Sequence, residues 1–387
     1  MKNLVVGAGL TGAVIAERLA SKLGESVTVI EKESHLGGIY YDYFDGETDN
    51  LVHANHYNVL HTNIKYVWDY LNQFGEMKPF YFRPKAEIQG RPVSIPLCLT
   101  SLYEIFPNDF AKSFESKLIS KYGYNNRITI SDIHKNYDED LKFLAEYFYE
   151  NLFKPYTIKR WGVKEENIPP CSETLYPFFT GIDTRYYKDK YQAVPEDGWT
   201  KLIENMLKHK NIKLKLNTNF SDINADKYDR IFYTGSIDEF FDYKYGELQY
   251  RSVNIRTKNV LIDNAKPYHS YNTPVNFDFI RVNNYKYFTD NNENEKCTIG
   301  YEFIEDFKLG QNERIYPVHN NISNEIYNKY YQESLKYPNI KFIGRLGKFE
   351  YYETDMLVAE AINAVASLVV ISENDDNNEN RLGLENE

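Results

Sequence analysis

The stretch VVGAGLTG, residues 5–12, lies almost at the start of the chain and carries the spacing Gly-x-Gly-x-x-Gly at Gly7, Gly9 and Gly12. The apolar run KNLVV is typical of a buried strand, and GAVIAERLASKLG, which follows the turn, has apolar residues at helical spacing. At such a strand–turn–helix junction, backbone N–H groups bind a dinucleotide pyrophosphate, because glycine lets the backbone approach closely. The sequence therefore predicts an α/β fold whose first turn, including Leu10 and Thr11, contacts a dinucleotide.

Two features further along indicate which dinucleotide this is. Glu31 follows Gly12 by 19 residues, at the end of a second predicted strand, SVTVIEK, where a carboxylate holds a ribose hydroxyl. Gly37 and Gly38, in SHLGGIYYD, are typical of FAD-binding folds, in which a second backbone segment approaches the long cofactor. A plain glycine turn is the alternative, and NAD sites usually lack the pair. We therefore expect FAD, bound by Glu31, Lys32, Gly37 and Gly38.

Composition excludes several other classes of function. A formal net charge of −11 argues against nucleic acid or an anionic membrane as the main partner. Cys98, Cys171 and Cys297 are scattered without metal-type pairing, so we expect buried thiols and no metal site. The longest late apolar stretch, AINAVASLVVIS, is well short of a membrane span. We therefore expect a cytoplasmic enzyme.

Patterns along the chain divide it into three predicted parts and a tail. Residues 100–160 have a charged, helical pattern and predict a helical insert, while runs such as FDFIRVNNYKYFT predict an antiparallel sheet. We expect an FAD-binding Rossmann-like domain from 1–80, 195–249 and 340–372, and an antiparallel-sheet substrate domain from 81–99, 161–194 and 250–339. Residues 373–387 are acidic and Asn-rich, and we expect them to form a disordered tail.

Several segments together resemble the UDP-galactopyranose mutase family. They run in family order from about residue 3 to 372 and include VIEKESHLGGIYY, LHTNIKYVWDYL, YTIKRWG and FIGRLGKFEYYETDM. The most specific is RIFYTGSIDEFFDYKYGELQYRSV, residues 230–253. The resemblance implies FAD-dependent interconversion of the pyranose and furanose forms of a nucleotide sugar without net redox change. Reduced flavin acts as the nucleophile in that family, which supplies furanose donors for bacterial surface polysaccharide.

The resemblance also implies roles for individual residues. Tyr156 falls at the uracil-stacking position, Trp161 beside the sugar, and Arg281 at one of two diphosphate-binding arginines. The tyrosines that match phosphate-binding hydroxyls are Tyr191, Tyr316 and Tyr351. The further residues that match FAD contacts are Arg251, Arg345 and Asp355. The implied catalytic residues are Arg281, Asn58, His61 and Tyr351. The implied partner is a nucleotide sugar, and a homodimer is one assembly that the resemblance allows.

Three positions depart from the family pattern. In HYNVLHTN, Asn58 replaces a histidine that faces the flavin in the family, while His61 is kept; an amide donates hydrogen bonds but cannot become cationic. Phe179 stands where the family has the second diphosphate-binding arginine, in a mobile loop. Arg185, six residues further on, is a candidate replacement. Glu353 stands where the family has Asp.

Arg83 and Lys85 are further candidates for the missing cation, although surface charges are an equally good interpretation of them. Two accounts of the whole chain compete. One is a working mutase adapted to another nucleotide sugar, such as UDP-arabinopyranose, dTDP-fucopyranose or a heptose derivative. The other is a degenerate relative that binds flavin and nucleotide without catalysis. The retained diphosphate residues favour the first account, and the apolar Phe179 together with Asn58 predicts a pentose or a 6-deoxy sugar rather than galactose.

Overall fold

The computed structural model describes residues 1–55, 57–289 and 294–383, with side chains described as far as Leu368. The strands are β1 (Lys2–Val6), β2 (Ser26–Ile30), β3 (Asp42–Phe44), β4 (Leu51–His53), β5 (Leu60–Thr62), β6 (Met77–Pro79), β7 (Lys85–Ile88), β8 (Arg91–Ser94), β9 (Leu97–Cys98), β10 (Arg127–Thr129), β11 (Pro177–Phe179), β12 (Tyr191–Pro195), β13 (Ile212–Lys215), β14 (Arg230–Tyr233), β15 (Tyr250–Leu261), β16 (Ser270–Asn272), β17 (Arg281–Asn284), β18 (Lys296–Asp306), β19 (Tyr316–Pro317) and β20 (Ile340–Phe342). The α-helices are α1 (Leu10–Lys22), α2 (Lys65–Leu71), α3 (Leu99–Ile105), α4 (Asn108–Tyr122), α5 (Ile130–His134), α6 (Glu139–Phe148), α7 (Lys154–Trp161), α8 (Trp199–Met206), α9 (Ile237–Phe240), α10 (Asn321–Ser334), α11 (Gly344–Gly347) and α12 (Thr354–Gly383).

A parallel five-stranded sheet carries the glycine turn. Its strand order is β13-β2-β1-β14-β20, and every neighbouring pair is parallel. Helices α1 and α12 bury apolar side chains such as Val14 and Val358 in the cluster that contains Val5 and Val29 of the sheet. Because the carboxyl ends of parallel strands lie at one edge, the turn after β1 and Glu31 after β2 are neighbours. The predicted α/β class with a Rossmann-like domain is confirmed.

The glycine turn is compact because two of its glycines have no room for a side chain. Gly7 has φ 100°, and a Cβ built on it would lie 2.2 Å from Thr234 Oγ1. Gly12 lies in the first turns of α1, where a Cβ would lie 2.0 Å from the Gly7 carbonyl oxygen. The close packing of α1 against the end of β1 therefore depends on glycine at both positions.

A second, seven-stranded sheet forms a wall of the site. Its order is β19-β15-β18-β17-β16-β7-β8, antiparallel except for the parallel pair β16–β7. These strands come from two of the three predicted substrate segments, whereas the segment 161–194 pairs elsewhere. Strand β11 joins β9 and β10, and β12 joins β5 and β6. Strand β12 pairs there because it buries Ala193 in one apolar cluster and Val194 in another.

Helices α3 to α7 span 99–161, which includes the predicted helical range 100–160, and α3 to α6 bury their apolar faces against residues such as Ile88 and Leu97. Helix α6, a π-helical turn over Tyr149–Phe153 and α7 follow one another without a break. The run ends at Gly162, which has φ 64° and closes α7 as a left-handed cap. This continuous run carries α7 from the helical unit toward the seven-stranded sheet.

The end of the chain differs from the sequence-based expectation. Helix α12 continues through 373–383, where we expect a disordered tail, and residues 384–387 of that tail lie outside the described residues. The helix continues there from the apolar run of residues 361–372. Within the described ranges, no helix is long and apolar enough to cross a bilayer. Cys98, Cys171 and Cys297 are free and buried.

We expect Gly12→Ala to lower the free energy of unfolding by about 1–3 kcal/mol, because the added methyl group meets backbone that cannot easily move. Denaturant unfolding followed by circular dichroism measures this change. Gly46→Ala is the matched control, since its Cβ would meet nothing within 4 Å; a change within about 0.5 kcal/mol is expected there. Equal stability of the two variants would show that the turn tolerates a side chain.

Candidate active site

The centre of the site is the hydroxyl group of Tyr156 on α7. It accepts hydrogen bonds from Arg281 Nη2 at 3.1 Å and from Arg160 Nη1 at 3.4 Å. Tyr156 and Arg160 are four residues apart and so share one face of the helix, while Arg281 begins β17. Burial by itself raises the pKa of Tyr156, but the two guanidinium groups outweigh it and lower the pKa. Two positive side chains therefore meet at one phenol oxygen.

Polar side chains of the seven-stranded sheet hold Arg281 in place. Its Nε donates to Asn272 Oδ1 at 2.8 Å, and its Nη1 lies 3.5 Å from Glu302 Oε2. Glu302 is only 1% exposed. Burial works to lower the pKa of Arg281, but Glu302 raises it above the ordinary value. The guanidinium therefore stays charged, oriented by Asn272 and Glu302, with Nη2 directed at Tyr156.

Aromatic rings surround the second guanidinium. The guanidinium carbon of Arg160 lies 4.3 Å from the ring centroid of Tyr316 and 5.5 Å from that of Trp161. The Tyr316 ring lies edge-on to Trp161, with centroids 6.3 Å apart, and 6.1 Å from the ring of Tyr351. The structure thus brings together five of the predicted substrate residues: Tyr156, Trp161, Arg281, Tyr316 and Tyr351. Their contacts with a ligand remain predictions.

Other predicted residues have different neighbours. Tyr191 stacks on Trp68 of α2 with ring centroids 4.9 Å apart, on the side of the nucleotide-binding domain. Phe179 lies in strand β11 rather than in a loop, paired with Arg127 and Cys98, and the Lys188 ammonium lies 5.1 Å from its ring centroid. Position 179 is therefore fixed by strand pairing.

The candidate replacements for the missing cation are engaged or exposed. Arg185 Nη2 lies 2.8 Å from Asp183 Oδ2, and this ion pair raises the pKa of Arg185. Lys85 Nζ donates to Ser94 Oγ at 2.8 Å and forms an ion pair with Glu104. Arg83 is exposed. The structure therefore joins none of the three to the hydroxyl of Tyr156.

The carboxyl edge of the parallel sheet fits a dinucleotide. Glu31 accepts hydrogen bonds from the backbone N–H groups of Ala8 at 2.8 Å and Glu33 at 3.0 Å, which fixes its carboxylate beside the turn. No side chain caps the start of α1 at Gly9, so the N–H groups of its first turn are available to a phosphate. Gly9 and Gly37 lie side by side as a bridge between backbone segments. This cradle fits the pyrophosphate and ribose of FAD.

The remaining predicted FAD residues differ in their surroundings. Arg345 is buried; its Nη2 donates to Tyr352 O at 2.8 Å, and its Nε has no partner among the described residues. An orphaned buried donor of this kind suits a bound acceptor such as the cofactor. Arg251 donates from Nε to the carbonyl of Arg160 at 3.2 Å and so holds the end of α7. Asp355 accepts from the Met356 N–H, and Lys32 is exposed.

Asn58 and His61 lie between the glycine pair and α12. Asn58 is buried and donates from Nδ2 to Ile39 O at 3.0 Å, next to Gly38. The Nδ1 of His61 lies 2.8 Å from Asp189 Oδ2, and its Nε2 lies 3.5 Å from Glu353 Oε2. Burial disfavours the imidazolium, but the two carboxylates outweigh it and raise the pKa of His61. The two carboxylates thereby stabilise a positive charge at His61. His61 lies three residues after Asn58, whose amide cannot carry the charge of the histidine that it replaces.

Sequence reasoning missed four residues that the structure places here: Arg160, Tyr187, Asp189 and Glu302. Arg160 stands next to Trp161 in YTIKRWG, so its position in a recognised segment was an available signal. The others depend on contacts distant in sequence: Tyr187 stacks on His61 with ring centroids 3.6 Å apart. In the part of the chain that the structure describes, no cluster of three or more His, Cys, Asp or Glu side chains could hold a metal ion.

The chain is similar to known proteins along nearly its whole length. A family model described as UDP-galactopyranose mutase matches residues 151–351, and one described as an NAD(P)-binding Rossmann-like domain matches residues 5–74. A "Probable UDP-galactopyranose mutase" of Klebsiella pneumoniae is 31% identical, with 93% of each chain covered. A dTDP-fucopyranose mutase of Escherichia coli is 32% identical, with 93% of this chain and 96% of the relative covered.

A solved structure of a reduced UDP-galactopyranose mutase has a similar fold. The TM-score is 0.69 at 15% identity, and the match covers 96% of this chain and 94% of that one. At this identity the likeness concerns the fold alone.

The contacts of His61 give a pH dependence of known sign. Because the folded-state pKa of His61 lies above its ordinary value of 6.5, its stabilising contribution is present below that value and is lost as pH rises through the folded-state pKa. Burial works to raise the pKa of Glu353, but His61 outweighs it and lowers the pKa. The contribution of Glu353 to stability is therefore lost as pH falls through its folded-state pKa. We expect the His61 pKa, followed by NMR titration, to fall in Glu353→Gln.

The control for this titration is Glu350→Gln, an exposed carboxylate near the start of α12. It is expected to leave the His61 titration in place. A His61 pKa that is the same in Glu353→Gln as in the unsubstituted protein would contradict the assigned ion pair.

Proposed function

The chain belongs to the UDP-galactopyranose mutase family, and from this membership we propose that its substrate is the nucleotide form of a pentose or a 6-deoxyhexose. As a member of the family it is a flavin-dependent mutase that interconverts the pyranose and furanose forms of a nucleotide sugar. The observation that carries the assignment of the substrate site is the partly buried Arg281, held by Glu302 and Asn272 and directed at Tyr156. The sugar itself is the part that we propose.

FAD supplies, in its reduced form, the nucleophile for the anomeric carbon, and the chain supplies binding, orientation and charge. Gly9, Gly37 and Glu31 would hold its pyrophosphate and ribose, as the open cradle and the fixed carboxylate suggest. Arg345 would meet it with the buried Nε that has no partner among the described residues. His61 would hold positive charge on the same side of the site, because its two carboxylates favour the imidazolium.

The diphosphate would bind where the charges meet. Negative charge grows on this leaving group as the anomeric bond breaks, so a fixed guanidinium stabilises the transition state more than the ground state. Arg281 is suited to this because Asn272 and Glu302 orient it before any ligand arrives. Tyr316 and Tyr351 would donate hydroxyl hydrogen bonds, and burial, the main cause, raises the pKa of both, so each keeps its proton.

The sugar proposal depends on the aromatic lining. The ring of Tyr187 stacks on His61, and its pKa is raised by burial and by Glu353, Tyr186 and Tyr351 nearby. Trp161 and Tyr316 pack edge to face, with ring centroids 6.3 Å apart. An aromatic wall leaves a polar C6 hydroxyl unpaired, which costs roughly 1–3 kcal/mol. The two curated relatives have different sugars in their names and are about equally similar to this chain. Sequence similarity alone therefore does not identify the sugar.

The family resemblance predicts that Phe179 lies in a mobile loop that closes over the substrate, and this prediction is wrong. Phe179 lies in strand β11 because its backbone pairs with β9 and β10. We therefore assign the aromatic wall to the ring faces of Tyr187 and Trp161 instead. Furanose donors for bacterial surface polysaccharide, a cytoplasmic location and a homodimer remain parts of the proposal. The free, buried cysteines support a reducing compartment.

We expect Arg281→Ala to lower kcat on the order of a hundredfold, about 3 kcal/mol, because a charge-assisted contact with the leaving group is lost. Arg281→Lys keeps a charge over the buried Glu302 and is expected to lose less. Arg256→Ala is the control, since this exposed arginine lies in the same sheet with its guanidinium over the Phe303 ring. Near-normal turnover of Arg281→Ala would contradict the assigned diphosphate site.

The substrate is tested with dithionite-reduced enzyme and three nucleotide sugars: UDP-galactopyranose, UDP-arabinopyranose and dTDP-fucopyranose. We expect kcat/KM on the arabinose or fucose nucleotide to exceed that on UDP-galactopyranose about tenfold or more. Turnover is expected with reduced flavin and not with oxidised flavin. A highest kcat/KM on UDP-galactopyranose would overturn the sugar proposal, and no turnover on any nucleotide sugar would favour the degenerate relative.

A further inference from the structure

The cationic side chains of the candidate site differ in the acceptors that the protein itself supplies to them. Arg281 has Glu302 at 3.5 Å, and Arg185 has Asp183 at 2.8 Å. Lys159, on the same helix as Tyr156, donates to four backbone carbonyls of the loop between β16 and β17, at 2.6–3.3 Å. Each of these groups has acceptors that the protein itself supplies. Among the residues that the structure describes, Arg160 has only one such acceptor, the hydroxyl of Tyr156.

The guanidinium of Arg160 has no carboxylate within 4.0 Å among the residues that the structure describes. Its polar contact is the Tyr156 hydroxyl at 3.4 Å, and otherwise it lies over the ring of Tyr316. Burial works to lower the pKa of Arg160, but Tyr316, Tyr156, Tyr351 and Glu302 raise it well above the ordinary value. Arg160 is therefore a charged side chain that lies among aromatic rings. Most of the N–H donors of its guanidinium have no acceptor among the described residues.

The backbone at Arg160 is fixed as well. Arg251 donates to its carbonyl, and Gly162, two residues on, leaves room for the Arg251 guanidinium, which a Cβ at that position would meet at 2.5 Å. A cation in the last turn of a helix also interacts favourably with the helix dipole, and this is the ordinary explanation for Arg160. The helix dipole does not explain why the Arg160 guanidinium lies over the ring of Tyr316 and donates to the hydroxyl of Tyr156.

We propose that Arg160 is the second diphosphate-binding cation and that it acts together with Arg281, which donates to the same Tyr156 hydroxyl. It would replace the arginine that the family resemblance places at position 179. When the bond between the anomeric carbon and the diphosphate oxygen breaks, the electron pair stays on that oxygen, and both guanidinium groups stabilise the charge. Two arginines against the single buried carboxylate of Glu302 leave the pocket with an excess positive charge that suits this anion. The inference rests on the proposed substrate site.

The test compares the binding of nucleoside diphosphates and their nucleosides by titration calorimetry. Purified FAD-containing protein is titrated with UDP and dTDP, and with uridine and thymidine. Arg160→Gln is expected to weaken diphosphate binding at least tenfold while changing nucleoside binding less than twofold. Arg160→Lys keeps the charge but lacks the planar fork, and we expect an intermediate loss. Arg256→Gln, on the exposed surface of the same sheet, is the matched control and should change neither.

A helix-capping role predicts something else. In that case Arg160→Gln would lower the melting temperature and leave the ratio of diphosphate to nucleoside affinity unchanged, which would overturn the proposal. A tenfold loss in Arg185→Gln instead of Arg160→Gln would also overturn it. If Arg160→Gln does not fold, the Arg160→Lys comparison decides. Because binding is measured without turnover, an enzyme inactive on every sugar would refute the proposed function and leave this inference standing.

Discussion

The meeting of Arg160 and Arg281 at the hydroxyl of Tyr156 is the interaction on which the substrate site depends. Two like charges that converge on one oxygen repel each other, so the protein must hold them in place. The buried Glu302 and Asn272 hold Arg281 from the sheet, and Arg251 holds the end of α7 through the Arg160 carbonyl. Lys159 ties α7 to the loop before β17. The same few contacts therefore join the helical unit to the seven-stranded sheet and concentrate positive charge between them.

This cluster continues into the cofactor side of the site. The Arg160 guanidinium lies over Tyr316, the Tyr316 ring lies near Tyr351, and Tyr351 lies under the Arg345 guanidinium at 5.0 Å. Arg345 in turn carries the buried Nε without a partner among the described residues. A substrate held by its diphosphate on Arg281 would thus place its sugar toward the side where FAD is expected. Alternating guanidinium and phenol groups make one continuous path between the two binding regions.

The sequence was most informative where a motif depends on local backbone geometry. The glycine turn, the first two strands and Glu31 could be predicted because their spacing follows from how a strand enters a helix beside a phosphate. The family segments also pointed to Tyr156, Trp161, Arg281, Tyr316 and Tyr351, which the structure brings together. Sequence could not show that Phe179 is fixed in a strand by β9 and β10, or that Arg185 is engaged by Asp183. The pairing of Phe179 and the position of Arg160 over Tyr316 depend on contacts between distant segments. The ion pair of Arg185 with Asp183 is local and depends on the conformation of the two side chains.

A crystal structure of the FAD-bound protein with a nucleoside diphosphate tests most directly whether two arginines bind the diphosphate. We expect nitrogen atoms of both Arg160 and Arg281 within about 3 Å of phosphate oxygens, a normal hydrogen-bond distance. We also expect Arg185 to stay paired with Asp183. A diphosphate contacted by Arg281 and Arg185, with Arg160 still lying over Tyr316 and away from the phosphates, would show that Arg160 is not the second diphosphate-binding cation.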